Sequence, residues 1–183
     1  MQDLAETFAE VARTLRAEFS VQATLERIVE LAPTTIDGCD HTGGTLVEGG
    51  KMRTPAASDD VPAQVAAIQY EVGEGPCLDA IREHDVFQTD NLANDARWPD
   101  FARRAAEETG VPSMLAFRLF SEADTMGALN LFSRDTAAFD AEDRAVGSIF
   151  AAHAARTPIL HSVVQSPGTQ RVASVGQRRP PAR

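Results

Sequence analysis

Gln69-Tyr70-Glu71-Val72-Gly73-Glu74-Gly75-Pro76-Cys77-Leu78-Asp79-Ala80-Ile81 falls near the middle of the chain and packs its densest backbone punctuation around a thiol. Two glycines and a proline end any helix that precedes them. Pro76 then suits the first turn of a new helix, where its fixed φ and missing N–H cost nothing. Cys77 and Leu78 are therefore expected at a helix start, on the lip of a pocket.

Outward from this stretch the pattern alternates between short helices and hairpins. Immediately upstream, Asp59 and Asp60 cap a helix carrying Val61, Val65 and Ile68, with Pro62 in its first turn. Before that, Cys39 to Val47 and Lys51 to Ala57 flank Glu48-Gly49-Gly50 and read as a hairpin, with Cys39, His41, Gly43, Thr45 and Val47 on one face. Downstream come a helix to about Glu83, an edge strand from Val86 to Thr89 and a polar loop from Asp90 to Trp98. Pro99 opens a helix that Gly110 should end. Ser113, Leu115, Phe117 and Leu119 alternate with Met114, Ala116, Arg118 and Phe120, which is a strand period. Ser121 to Asp124 turn the chain, and Met126 to Phe132 return as the partner strand.

Helices close both ends. Leu4, Phe8, Val11 and Leu15 form one amphipathic stripe. Its two readings are packing on the domain's own sheet or a dimer seam. Ser20 caps a second helix carrying Leu25, Ile28, Val29 and Ala32 before Pro33, and Asp140 caps a last one bearing Val146, Ile149, Phe150 and His153. Hairpins imply antiparallel pairing. The expected fold is α+β: a central antiparallel sheet of five to six strands, terminal helices on one face, and short helices and loops of residues 60–110 over the other. A small ligand would fit on that second face.

Composition narrows the function. The 183 residues suit one domain, over residues 1–156, with a tail at 157–183. The tail holds four arginines, four prolines and no acid, and reads as a disordered basic segment. Removing its four arginines from the 17 basic residues leaves 13 against 27 acidic ones, a net −14 for the body. So acidic a body repels phosphate backbones, which argues against direct nucleic-acid binding. No apolar run suits a membrane span and no basic, then apolar, leader opens the chain, so a cytoplasmic protein is expected. Two cysteines in 183 residues do not make a disulfide framework.

The runs Gly73-Glu74-Gly75-Pro76-Cys77-Leu78-Asp79-Ala80, Asp95-Ala96-Arg97-Trp98-Pro99, Gly127-Ala128-Leu129-Asn130-Leu131-Phe132-Ser133 and Phe150-Ala151-Ala152-His153-Ala154 together resemble the GAF sensor domains of actinobacterial regulators. There a GAF domain is commonly followed by an RNA-binding ANTAR module. The resemblance covers about residues 1–156. It implies a small-molecule-sensing regulatory domain, without catalysis, in a bacterial signal-transduction or transcription antitermination protein. Two departures stand out. Arg118 occupies a strand position where a proline is expected, and no ANTAR module is recognisable after Ala155, so RNA binding is not carried over.

The candidate site residues are Cys77, Leu78, Trp98, Arg118, Asn130 and His41. The glycine run imitates half a dinucleotide fingerprint, but the third glycine and the preceding strand are missing and Glu71, Glu74 and Asp79 oppose a phosphate. A helix start favours the Cys77 thiolate; Glu74 and Asp79 oppose it, and packing is the plainer reading. The reactive alternative is a redox sensor, or a methionine sulfoxide reductase-like enzyme, in which Cys39 and Cys77 pair across the pocket. No paired metal spacing supports Cys39, His41, Cys77 or His84 as ligands, and no cofactor or metal is expected. Trp98 either packs or recognises. Asn130, between Leu129 and Leu131, either lines the pocket or bonds a loop. The expected partners are one unknown small molecule and a second copy of the chain through the terminal helices; the runner-up function is a ligand-free interaction scaffold.

Overall fold

The computed structural model describes residues 4–156 apart from 17, 19, 84 and 121–124; the expected disordered tail at 157–183, the turn at 121–124 and His84 lie outside the described residues. The order is α1 (Leu4–Leu15), α2 (Val21–Thr35), β1 (His41–Glu48), β2 (Lys51–Ala57), α3 (Asp60–Val72), α4 (Pro76–Glu83), β3 (Val86–Thr89), α5 (Pro99–Thr109), β4 (Ser113–Phe120), β5 (Thr125–Ser133) and α6 (Ala141–Arg156). A 3-10 turn, Leu92–Asn94, interrupts the loop before α5. The sheet has five strands in the order β2-β1-β5-β4-β3, every pair antiparallel.

Local chemistry accounts for most boundaries. The Ser20 hydroxyl accepts from the Ala23 N–H at the head of α2, and Asp59 accepts from Val61 at the head of α3. Gly73 and Gly110 end α3 and α5 in the left-handed conformation. Pro33 does not stop α2 as the sequence suggests. It lies in the last turn, where a proline removes only its own N–H bond. The Thr34 and Thr35 hydroxyls donate to Leu31 O, and the Ile36 N–H still reaches Ala32 O at 2.9 Å.

The sheet divides the interior in two. Leu46, Leu115, Phe117, Leu119, Leu129 and Leu131 pack against Leu25 and Ile28 of α2 and Phe150 of α6; Val11 and Leu15 of α1 join this same core. These α1 side chains follow the own-sheet reading of the stripe. Met114, Ala116, Ala128 and Phe132 face the other way, against Val65, Ile68, Cys77, Ala80, Trp98 and Phe101 of the α3–α5 cap. Alternation along each strand produces this division, since neighbouring side chains point to opposite faces.

One strand assignment changes. β1 begins at His41, and Cys39 precedes it. Cys39 does not share a face with His41, Gly43 and Thr45: it lies in the terminal-helix core, its thiol 3.2 Å from the Thr42 hydroxyl. A chain entering a sheet is not yet bound by the period of two, so extrapolating the alternation backwards fails there.

A candidate ligand site beneath the cap

Register builds the site. On the cap face, Gly43 of β1 lies opposite Asn130 of β5, which lies opposite Ala116 of β4; the adjacent row is Thr45, Ala128 and Arg118. A Cβ on Gly43 would strike the Pro62 ring, so glycine there lets α3 settle onto the strand. Over these rows α3 brings Gln69 and Tyr70, and α4 brings Cys77.

Five side chains make a polar cluster inside this otherwise apolar layer. The Cys77 thiol is 3.5 Å from the Thr45 hydroxyl, and the Asn130 amide nitrogen lies 3.5 Å from Cys77 Sγ and 3.4 Å from Thr45 Oγ1. Tyr70 OH meets Thr45 Oγ1 at 2.9 Å and Thr54 Oγ1 at 3.3 Å. Gln69 Oε1 accepts the Cys77 backbone N–H at 3.0 Å. That bond satisfies a donor at the start of α4, which the helix itself leaves open. Gln69, Thr45 and Cys77 are fully buried and Asn130 is nearly so.

The cluster carries no formal charge. Burial pushes the Cys77 thiol up, only partly offset by its hydrogen bonds with Thr45 and Asn130, and burial likewise raises Tyr70. A thiol held protonated in this way is a weak nucleophile. The helix start that favoured a thiolate in the sequence is outweighed by complete desolvation.

The loop before α4 is tied on its outer side as well. Glu74 accepts the Asp100 and Phe101 N–H groups at 3.1 and 3.3 Å, serving as the cap that Trp98 does not provide for α5. Trp98 is 2% exposed, lies edge-on to Phe87 with centroids 6.1 Å apart, and donates its indole N–H to Asp79. It is a pillar of the cap, not a residue of an open polar loop. Arg97 stacks over its ring at 4.2 Å.

The structure therefore brings Cys77 and Asn130 together, and Leu78, the next residue of α4, is buried. Arg118 continues the ladder of β4 opposite Ala128 despite the expected proline, and its guanidinium lies 4.9 Å over Phe120, which is 51% exposed at the rim. His41 stands one cap-face row away from Asn130 and is held in a separate network. Arg134 donates to its Nε2 at 3.3 Å, which places the ring proton on Nδ1, 2.6 Å from Asp59. Sequence reasoning missed Gln69, Thr45 and Tyr70 as site residues. The available signal was Gln69 itself, a polar residue eight positions after Val61 and four after Val65, on the apolar stripe of its helix.

A groove of ≈ 590 Å³ opens elsewhere, between α2 and β2, with Glu26, Glu30, Asp40 and Asp59 in its wall. Each carboxylate already has a protein partner: Gln22, Arg27, the Arg134 N–H and His41 respectively. Among the described residues no group of three or more His, Cys, Asp or Glu side chains is placed to hold a metal ion, and no helix is long and apolar enough to cross a membrane.

Cys39 and Cys77 sit in different cores on opposite faces of the sheet, which follows the packing reading of both and opposes the alternative in which they pair across one pocket. Burial pushes the Cys39 thiol up to about 11.

Solved structures share this architecture. The GAF domain from an Acinetobacter phosphoenolpyruvate-protein phosphotransferase matches with a TM-score of 0.65 and 13% identity, over 85% of this chain and 92% of that one. The reduced form of fRMsr of Staphylococcus aureus matches with a TM-score of 0.64 and 15% identity, over 83% and 95%. The free methionine-R-sulfoxide reductase from Neisseria meningitidis, in complex with its substrate, matches with a TM-score of 0.60 and 16% identity, over 84% and 87%. These likenesses correct the expectation of a domain without catalysis: enzymes are built on this fold, so the fold gives no ground for excluding activity. A comparison with curated proteins returns no match. The GAF domain family model matches residues 18–157, the span that holds the sheet, the cap-side core and the polar cluster, and the chain belongs to the GAF domain family.

Proposed function

We infer that the chain is a regulatory domain of a bacterial signal-transduction protein that binds a small molecule between its sheet and the cap of α3, α4 and α5. The observation that carries this reading is the uncharged cluster of buried Thr45, Gln69, Cys77 and Asn130 with half-buried Tyr70. A core gains nothing from five converging polar side chains unless they are satisfied, and a ligand can satisfy them. Among the described residues, no buried side-chain atom lining the groove beside α2 lacks a hydrogen-bond partner.

Transmission follows from what the cluster touches. Gln69 belongs to α3 and holds the first turn of α4, while Glu74, in the same connection, holds the first turn of α5. Asn130 lies on β5, which leads into α6. A ligand that binds one arrangement of these contacts better than another shifts the balance between them, and α6 carries the change to the terminal layer. Pairing of α1 and α6 with those of a second copy makes the domain a homodimer; monomeric mass by light scattering at micromolar concentration would contradict that element.

The test is a thermal-shift screen of the full chain against cyclic nucleotides, amino acids, tetrapyrroles and small aromatics. A ligand at about 100 times its Kd adds roughly 2.7 kcal/mol of stability. Flat melting curves throughout would favour the interaction scaffold instead.

A second reading rests on Cys77 being the cap-face thiol in a fold shared with free methionine-R-sulfoxide reductases. Reduction of a sulfoxide to a sulfide and water oxidises two thiols to a disulfide, and Cys39 lies behind the sheet. This reading therefore requires an external thiol as the partner of Cys77. Consumption of added dithiothreitol dependent on free methionine-R-sulfoxide, abolished by Cys77→Ser, would support it.

A further inference from the structure

Two polar atoms of the cluster have no hydrogen-bond partner: Gln69 Nε2 and Asn130 Oδ1. Each side chain grips Cys77 with one end of its carboxamide. Gln69 uses its oxygen on the Cys77 N–H and leaves its NH2 group unspent; Asn130 uses its nitrogen on Cys77 Sγ and Thr45 Oγ1 and leaves its oxygen unspent. As placed, the residual capacity is one donor and one acceptor, on side chains 0% and 3% exposed; the Cys77 thiol and Thr45 hydroxyl can donate as well as accept, so the Asn130 amide orientation is assigned and not observed. Turning the Gln69 amide over would set its NH2 against the Cys77 N–H, so the donor is fixed as the free end.

We propose that Asn130 holds its oxygen as the free end and that the bound small molecule presents an uncharged group with an acceptor for Gln69 Nε2 and a donor for Asn130 Oδ1, as in a primary carboxamide, a ureide or the lactam edge of a nucleobase. This rests on the reading that a small molecule binds beneath the cap, and names its chemical class. A carboxylate would satisfy Gln69 but turn a negative oxygen toward Asn130 Oδ1. An ammonium group would satisfy Asn130 but face the Gln69 NH2. Neither charge would meet an opposite one among Thr45, Gln69, Tyr70, Cys77 and Asn130, and an unpaired buried charge is far costlier than a neutral amide. Cys77 remains a neutral thiol and does not disturb this balance.

Matched probes read the inference directly. Titration of the full chain with nicotinamide, nicotinate and 3-picolylamine by calorimetry should give saturable binding of the amide, with both charged analogues weaker by about tenfold or more, since each leaves one buried partner unsatisfied. Side-chain amide NMR on the unaltered protein should show the Gln69 NH2 resonances moving on addition of nicotinamide. Asn130→Asp, checked for folding by circular dichroism, should weaken nicotinamide and favour 3-picolylamine. Nicotinate binding as tightly as nicotinamide would overturn the proposed class and leave the binding reading intact. Binding of nicotinamide with the Gln69 resonances unmoved would likewise overturn the class. Absence of saturable binding by all three, together with flat curves in the wider screen, would overturn both.

Discussion

The indole N–H of Trp98 donates to the carboxylate of Asp79 at 2.6 Å, joining the residue that opens α5 to the first turn of α4. With the Glu74 cap, this bond makes α4 and α5 one unit above the sheet. Trp98→Phe keeps most of the apolar contact but removes the donor, leaving the Asp79 carboxylate without this short bond and with Arg82 at 3.7 Å. The expected cost is about 1–3 kcal/mol, read as a lower urea midpoint by circular dichroism. In the unaltered protein the emission of this sole tryptophan should be blue-shifted when folded and move to the red on unfolding.

The connection before α4 should tolerate little. Glu74→Ala removes the acceptor for two N–H groups at the head of α5 and should cost about 1 kcal/mol, with Glu74→Gln recovering part of it. Gly75→Ala should cost more, roughly 1–3 kcal/mol, because φ is +134° and the added Cβ would run into the Gln69 side chain. Hydrogen exchange should accelerate at residues 73–81 in Gly75→Ala and remain unchanged in the terminal helices if the damage is confined to the cap.

Neither thiol should react readily in the folded protein. Both are buried with raised pKa values, and the sheet separates them. Ellman titration should count two thiols only after denaturation, and mild oxidation with diamide should leave that count unchanged. A loss of both thiols without dimer formation would mean that Cys39 and Cys77 do meet.

Acid should weaken the fold in part through His153. Burial lowers its pKa below the ordinary 6.5, and the neighbouring Arg156 and Arg16 push in the same direction. The unfolded chain then binds the proton more readily than the folded one, so this contribution is present above about pH 6.5 and is lost as the pH falls through the folded value. His153→Gln should flatten the fall in stability between about pH 7.5 and 5.5, measured by urea unfolding at each pH. An unchanged slope would show that His153 does not contribute.

Much of the fold was legible because its signals are local. The alternation from Ser113 to Phe120, the Pro99 start and Gly110 stop of α5, and the Asp59 cap each act within a few residues of themselves. Pro33 misled because a proline's damage depends on how much helix remains after it, and here only part of a turn does. Cys39 misled because alternation was projected beyond the first paired residue.

The candidate site was only half legible. Asn130 and Cys77 were identifiable as a polar residue in a strand and a thiol at a helix start, yet their contact spans 53 residues, and that of Asn130 with Thr45 spans 85. For Trp98 the sequence left packing and recognition both open, and its contacts with Phe87 and Asp79, which bury it, follow the packing reading.

By itself the sequence determined the order of helices and hairpins, the two-sided sheet and the Gly-Glu-Gly-Pro-Cys turn that starts α4, because dihedral preference, capping and side-chain period are properties of short segments. Tertiary structure alone decided that Cys39 and Cys77 lie on opposite sides of the sheet, that Glu74 caps a helix 25 residues further on, and that Gln69 and Asn130 converge on Cys77 with one hand each unspent. Those facts depend on strand order and register, which bring distant residues into one layer and determine what each buried polar group finds there.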